Sequence, residues 1–154
     1  MSKTCIITGD TRGIGKVLKE HFLSLGWQVT AFNKDSSIEK IIQQSVNCDL
    51  FINNAYADGI QLELFNNLYR SVKKMIVCGS IAARYPDTDM PKYSVDKKIL
   101  EDRVLDVAHN RAVGQADILL LQLTGKAYAD NNTIIKLVDF WLANPSIINV
   151  GFEI

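Results

Sequence analysis

Short, uniformly apolar runs alternate along this chain with segments whose apolar residues recur at helical spacing, and that alternation restricts the fold more than any other feature. Thr4–Thr8 is the first such run, and Ile14, Val17, Leu18, Phe22 and Leu25 then share one helical face. Gly26 closes this helix, and residues 28–32 form a second strand-like run before a polar stretch. Residues 38–44 read as a short helix and 49–52 as a buried strand running into Asn53, Asn54 and Ala55. The spacing then predicts a helix over 62–72, a strand over 75–78 and a loop carrying Ser80, Pro86 and Pro91. A helix over 92–109, a strand over 117–123, a helix ending at Leu142 and a strand over 147–152 complete the series. Strands too uniformly apolar to have a wet face belong in a parallel sheet with helices on both sides, so an α/β, doubly wound sheet of about six strands is expected.

The chain's 154 residues fit one domain. Lys and Arg balance Asp and Glu at seventeen each, which leaves no basic surplus for nucleic acid. Cys5, Cys48 and Cys78 sit in or beside apolar runs, odd in number and not at metal-ligand spacing. Buried reduced thiols, no signal-peptide core and no membrane-spanning stretch lead to the expectation of a cytoplasmic protein. His21 and His109 fall in predicted helices without a paired ligand, so no metal site is expected.

The first strand runs into T-G-D-T-R-G-I-G at residues 8–15. Glycines at Gly9, Gly13 and Gly15 let backbone approach a pyrophosphate, whose charge is favoured by the free N–H groups of the helix that follows. The spacing is not the usual G-x-G-x-x-G, and a turn serving only strand-to-helix packing is the alternative. At the end of the second strand, where adenosine preference is decided, stand Asn33 and Lys34, with Arg12 placed to face the same group. Two cations favour the 2′-phosphate of NADP(H), while Asp35 next in sequence keeps NAD(H) open.

Tyr93 and Lys97 are four apart on the long helix and share a face. A phenol with a reference pKa near 10 gives up a proton at neutral pH only if a nearby cation stabilises the phenolate. Ser80, thirteen positions before the Tyr, lies after a strand end, at the carboxyl edge where open α/β sheets bind ligands. Its hydroxyl would hold a carbonyl oxygen while Tyr93 protonates it. Taken singly, each residue also reads as an ordinary helix or turn position.

In these motifs the chain resembles the short-chain dehydrogenase/reductase family, in its division with a Thr-Gly-x-x-x-Gly-x-Gly turn. The resemblance rests on residues 8–15, D-L-F-I-N-N-A at 49–55, Ser80, Y-S-V-D-K at 93–97, and Thr124-Gly125. It implies a Rossmann-type sheet over residues 1–154 with a nicotinamide cofactor across its carboxyl edge. It further implies Tyr93 as acid or base, Lys97 as the cation beside it and holder of the nicotinamide ribose, and Ser80 as the group positioning substrate oxygen. The cofactor would meet Gly9, Thr11, Arg12, Gly13, Ile14, Gly15, Asn33, Lys34, Asn53, Asn54, Ala55, Thr124 and Gly125.

The chain departs from the family pattern in places. Fifteen residues separate Asn33 from Asp49, so one edge strand and its helix are expected to be trimmed. Tyr56 follows Asn-Asn-Ala where Gly is usual, and the family's fourth catalytic residue, an Asn, has only Asn66 and Asn67 as candidates. The short segment after Thr124-Gly125 implies an open site, completed by another subunit. The resemblance also implies a homo-oligomer, dimer or tetramer, built on the Tyr helix and the C-terminal apolar stretch with Phe140, Trp141, Leu142, Ile147, Ile148, Val150 and Phe152; ordinary core is the alternative for that stretch. The expected function is NADP(H)-dependent reduction of a small or flat carbonyl compound, or oxidation of the matching alcohol. A non-catalytic NADP(H)-binding sensor or partner module is the competing reading. An epimerase acting on a nucleotide sugar would want another glycine spacing and a C-terminal domain.

Overall fold

A computed structural model of the protein describes residues 1–123, 130–147 and 149–153, with backbone alone at 150, 152 and 153. The first half runs β1 (Thr4–Thr8), α1 (Gly13–Ser24), β2 (Gln28–Phe32), α2 (Ile38–Ser45), β3 (Leu50–Asn53) and α3 (Ile60–Leu68). The second half runs β4 (Lys74–Ser80), a 3-10 turn (Ile81–Ala83), α4 (Pro91–His109), β5 (Asp117–Leu123), α5 (Asn131–Ala143) and β6 (Asn149–Glu153). All six strands are parallel and lie in the order β2-β1-β3-β4-β5-β6.

Alternate residues of each strand feed two cores, as a pleated strand requires. Ile6, Phe51, Met75, Val77, Ile118 and Leu120 face α2, α3 and α4. Cys5, Ile7, Ile52, Ile76, Leu119 and Leu121 face α1 and α5. The sheet is thus doubly wound, with the order reversing between β1 and β3; the carboxyl ends of those two strands open the crevice where such sheets bind ligands.

The short stretch after β2 holds α2 and no further strand, so β2 is the edge, as the fifteen-residue spacing predicts. Its Gln28 and Thr30 are exposed. The helix predicted over 62–72 begins earlier and ends earlier, because Gly59 takes a left-handed φ of 77° that launches α3, and Ser71 N–H already closes a turn on the Leu68 carbonyl. The C-terminal apolar stretch divides: Trp141 is fully buried, Leu142 and Ile147 pack against the core, and Phe140 is exposed. Ile148 and the side chains of Val150 and Phe152 lie outside the described residues. Among the described residues no helix is long and apolar enough to cross a membrane. Cys5, Cys48 and Cys78 are buried free thiols.

An ion pair helps tie the turn after β4 to α4. The Arg84 guanidinium donates to Glu101 Oε1 at 2.8 Å, and the Glu101 side chain is only 4% exposed. Removing one partner of a buried pair strands the other charge, at a cost of about 3–5 kcal/mol in full burial. Because the Arg84 side chain is 46% exposed, Arg84→Leu is expected to cost about 2 kcal/mol. Thermal denaturation checks this, and an unchanged Tm would mean that the pair contributes nothing.

Candidate active site

Two loops, one after β1 and one after β3, are stitched together at the crevice. Thr8 Oγ1 accepts hydrogen bonds from the Asn54 and Ala55 N–H groups, each at 3.2 Å, and Asn54 Nδ2 donates to the Gly9 carbonyl at 2.7 Å. Gly9 and Gly13 take φ of 73° and 57°, conformations that favour glycine. Gly15 serves close packing: a Cβ there would lie 1.8 Å from the Gly9 carbonyl oxygen.

The resulting cleft has a volume of about 700 Å³ and is lined by residues 9–14, by Asn33, Lys34 and Asp35 after β2, and by Asn54, Ala55 and Tyr56 after β3. Arg12 is the N-cap of α1 and makes no side-chain capping bond, so the first N–H groups of α1 are open to a ligand. Asp10 is engaged by Lys19 at 2.5 Å, while Asn33 Oδ1 accepts from the Asp35 N–H at 2.9 Å and so shapes its own loop. Of the expected cofactor residues, Gly9, Thr11, Arg12, Gly13, Ile14, Asn33, Lys34, Asn54 and Ala55 line this cleft. Gly15 stands behind it. Asn53 turns the other way, its Nδ2 donating to the Gln61 carbonyl at 2.8 Å. Thr124 and Gly125 lie outside the described residues.

The second group of residues gathers at the start of α4, where Pro91 occupies the first helical position that its missing N–H suits. Lys97 is buried, 4% exposed, and its Nζ donates to Gln61 Oε1 at 2.6 Å and to the Cys78 carbonyl at 2.9 Å. The same Nζ lies 5.5 Å from the centre of the Tyr93 ring and 5.7 Å from that of Tyr56. Burial pushes the Lys97 pKa down to about 8, because the ammonium has lost its water. Tyr56 and Tyr93 meet edge to face with ring centres 4.7 Å apart. The Tyr56 hydroxyl donates to Asp96 at 2.9 Å, and Asp96 also takes Lys92 at 3.0 Å. Among the described residues, none hydrogen-bonds the Tyr93 hydroxyl.

Ser80 ends β4 two residues beyond the carbonyl that Lys97 grips. Its Oγ accepts from the Ala82 N–H at 3.1 Å, capping the 3-10 turn and leaving its own proton to donate. A Cβ on neighbouring Gly79 would stand 2.0 Å from Gln122 Oε1.

No protein-family model matches the chain, and no curated protein matches it. Among solved structures it is similar to the serine dehydrogenase of Escherichia coli, at 14% identity and a TM-score of 0.74 over 98% of this chain and 96% of that one. It is similar also to the 3-ketoacyl-(acyl-carrier-protein) reductase of Brucella melitensis complexed with NADH, at 13% identity and a TM-score of 0.75 over 99% and 96%. A short-chain dehydrogenase/reductase family oxidoreductase from Brucella ovis, in complex with a partially ordered NAD, matches at 15% identity and a TM-score of 0.73 over the whole of both chains. The chain has the short-chain dehydrogenase/reductase fold. At such identities the likeness establishes that fold and leaves the chemistry to the residues.

Asn66 and Asn67, the sequence's candidates for a fourth catalytic residue, both lie on α3. Asn66 accepts from Arg103 at 2.8 Å, and Asn67 donates to the Glu63 carbonyl at 2.8 Å, both on the exposed face of α3. The residue of α3 that does reach Lys97 is Gln61, which no sequence pattern singles out; only its place on the first turn after Gly59 would have pointed to it. Tyr56 is the second addition. It lines the glycine-turn cleft and touches Tyr93, so it joins the two groups of residues.

Proposed function

We propose that the protein is an NADP(H)-dependent oxidoreductase that reduces a small or flat carbonyl compound or oxidises the matching alcohol. The observation that carries this reading is the placement of a buried Lys97 beside the Tyr93 ring, at the sheet edge that also bears the glycine-turn cleft. Solved structures with the same fold hold NADH, NADP or NAD. The cradle fits a dinucleotide: positive-φ glycines line it, the α1 N-terminus is uncapped by side chains, and two cations flank it.

The nicotinamide, when bound, would supply the hydride in reduction and accept it in oxidation. In reduction the Tyr93 hydroxyl passes its proton to the substrate oxygen, and the Lys97 ammonium offsets the charge left on the ring. The Ser80 hydroxyl donates to the same oxygen and holds it in place. A buried ammonium costs stability, so its retention makes sense where its charge serves chemistry; that argues against a pure binding module. Because the ammonium form is required, the reduction rate is expected to fall as pH rises through about 8.

Arg12 and Lys34 favour the 2′-phosphate of NADP(H). Arg12→Ala and Lys34→Ala should each weaken NADPH about tenfold and leave NADH within about twofold, as expected for loss of one charge-assisted bond. Equal losses for both cofactors would reject the assignment. We place the protein in the cytoplasm, as one domain, and as a homo-oligomer through the exposed Val95, Ile99 and Leu105 of α4.

The reading is tested by incubating the protein with NADPH and a panel of aldehydes, cyclic ketones and aromatic ketones while following nicotinamide absorbance. Consumption with at least one carbonyl class, with the alcohol as product, supports it. Tight NADPH binding with no consumption across the panel would favour the sensor instead.

A further inference from the structure

Gln61 has no role in the reaction outlined above, yet it is buried at the site and each of its amide atoms is engaged. Its Nε2 donates to the Asn53 carbonyl at 2.9 Å and to the Cys78 carbonyl at 3.1 Å, while Oε1 takes the Lys97 ammonium at 2.6 Å. Both Nε2 partners are carbonyls, which only accept, and the Oε1 partner is an ammonium, which only donates. A flipped amide would put donor against donor and acceptor against acceptor, so the orientation is forced by its neighbours. The ends of β3 and β4 thereby aim one acceptor at Lys97.

We infer that Gln61 is the positioning residue of the site, holding Lys97 charged and aimed. An ammonium has three N–H groups. Among the described residues, Gln61 Oε1 and the Cys78 carbonyl take two and leave one for a ligand at the sheet edge. Among the described residues, the groups facing Lys97 offer no carboxylate: β4 brings the Cys78 carbonyl, the loop after β3 brings Tyr56, α3 brings the neutral Gln61, and α4 itself brings Tyr93. Asp96, the nearest acid in sequence, is occupied by Lys92 and Tyr56. A neutral amide therefore does here what an ion pair would otherwise do. The consequence for turnover rests on the oxidoreductase reading; the effect on Lys97 does not.

The test is the titration of Lys97 in the cofactor-free protein, read by NMR at Cε of isotope-labelled lysine and assigned by the signal missing from Lys97→Met. Gln61→Met removes the acceptor and Gln61→Glu keeps it and adds charge. Both variants lose the two amide N–H bonds to the strand carbonyls, so a merely structural role would move Lys97 the same way in each. A hydrogen bond to a charged group corresponds to about one to two pH units, so the midpoint should fall by at least about one unit in Gln61→Met and rise by at least about one in Gln61→Glu. Should Gln61→Met not fold, the rise in Gln61→Glu alone supports the inference. Shifts of the same sign, or a midpoint unmoved in a folded variant, overturn it. Opposite shifts in a protein that reduces no carbonyl compound would uphold Gln61's hold on Lys97 and sink the oxidoreductase reading alone.

Discussion

Tyr93→Phe is expected to lower kcat/KM about a thousandfold or more while NADPH affinity stays within about threefold. The substitution removes one oxygen that none of the described residues bonds, and the ring keeps its edge-to-face contact with Tyr56 at 4.7 Å. Nothing buried is left unsatisfied, so Tm should hardly move, as for surface substitutions that touch no special feature. The comparison isolates proton transfer from binding and from folding. Steady-state kinetics together with a cofactor titration check it, and turnover above about a tenth of wild type would remove Tyr93 from the acid's role.

Gly15→Ala should do the reverse, striking the scaffold rather than the chemistry. The new methyl would sit 1.8 Å from the Gly9 carbonyl oxygen and 2.6 Å from Asn54 Nδ2, the pair whose hydrogen bond joins the two loops of the cleft. Backbone must move. Overpacking of this kind costs about 3 kcal/mol, or roughly 6–12 °C in Tm for a chain of this size, with NADPH binding lost as the loops part. Gly151→Ala is the control, since among the described residues its methyl would meet nothing closer than 3.9 Å. Thermal denaturation with and without NADPH measures both. A Gly15→Ala protein with unchanged Tm and affinity would show that the loops give way cheaply.

Periodicity carried the fold a long way because the strands of a covered parallel sheet are apolar on both faces. Runs such as D-I-L-L-L-Q-L become β5 with scarcely any shift of boundary. The short spacing between Asn33 and Asp49 likewise announced that β2 would be an edge. Helix ends were less legible: α3 starts at Ile60 because a left-handed Gly59 turns the chain, a property of backbone conformation rather than of the apolar pattern.

The site was legible where chemistry fixes the residue type. A phenol and an ammonium four apart, and glycines where a Cβ would collide, leave few substitutes. Gln61 escaped because glutamine is common on helices, and its importance arises from three strand and helix atoms that meet only in the folded chain. Asn66 and Asn67 were better chemical guesses and lie on the wrong face of the same helix. Trp141 shows the same lesson for the C-terminal stretch: its hydrophobicity suited either a contact surface or a core, and the sheet claimed it for the core.

The central claim is that the cleft between residues 9–14, Asn33 to Asp35 and Asn54 to Tyr56 holds a nicotinamide dinucleotide. Titration of the purified protein with NADPH and with NADH, followed by heat and by nicotinamide fluorescence, tests it most directly. Saturable one-to-one binding that favours NADPH, abolished in Gly15→Ala and kept in Tyr93→Phe, is the predicted result. Binding to neither cofactor by a folded protein would contradict it: the trimmed adenine side would then form no pocket, and Tyr93 and Lys97 would have no hydride donor to serve.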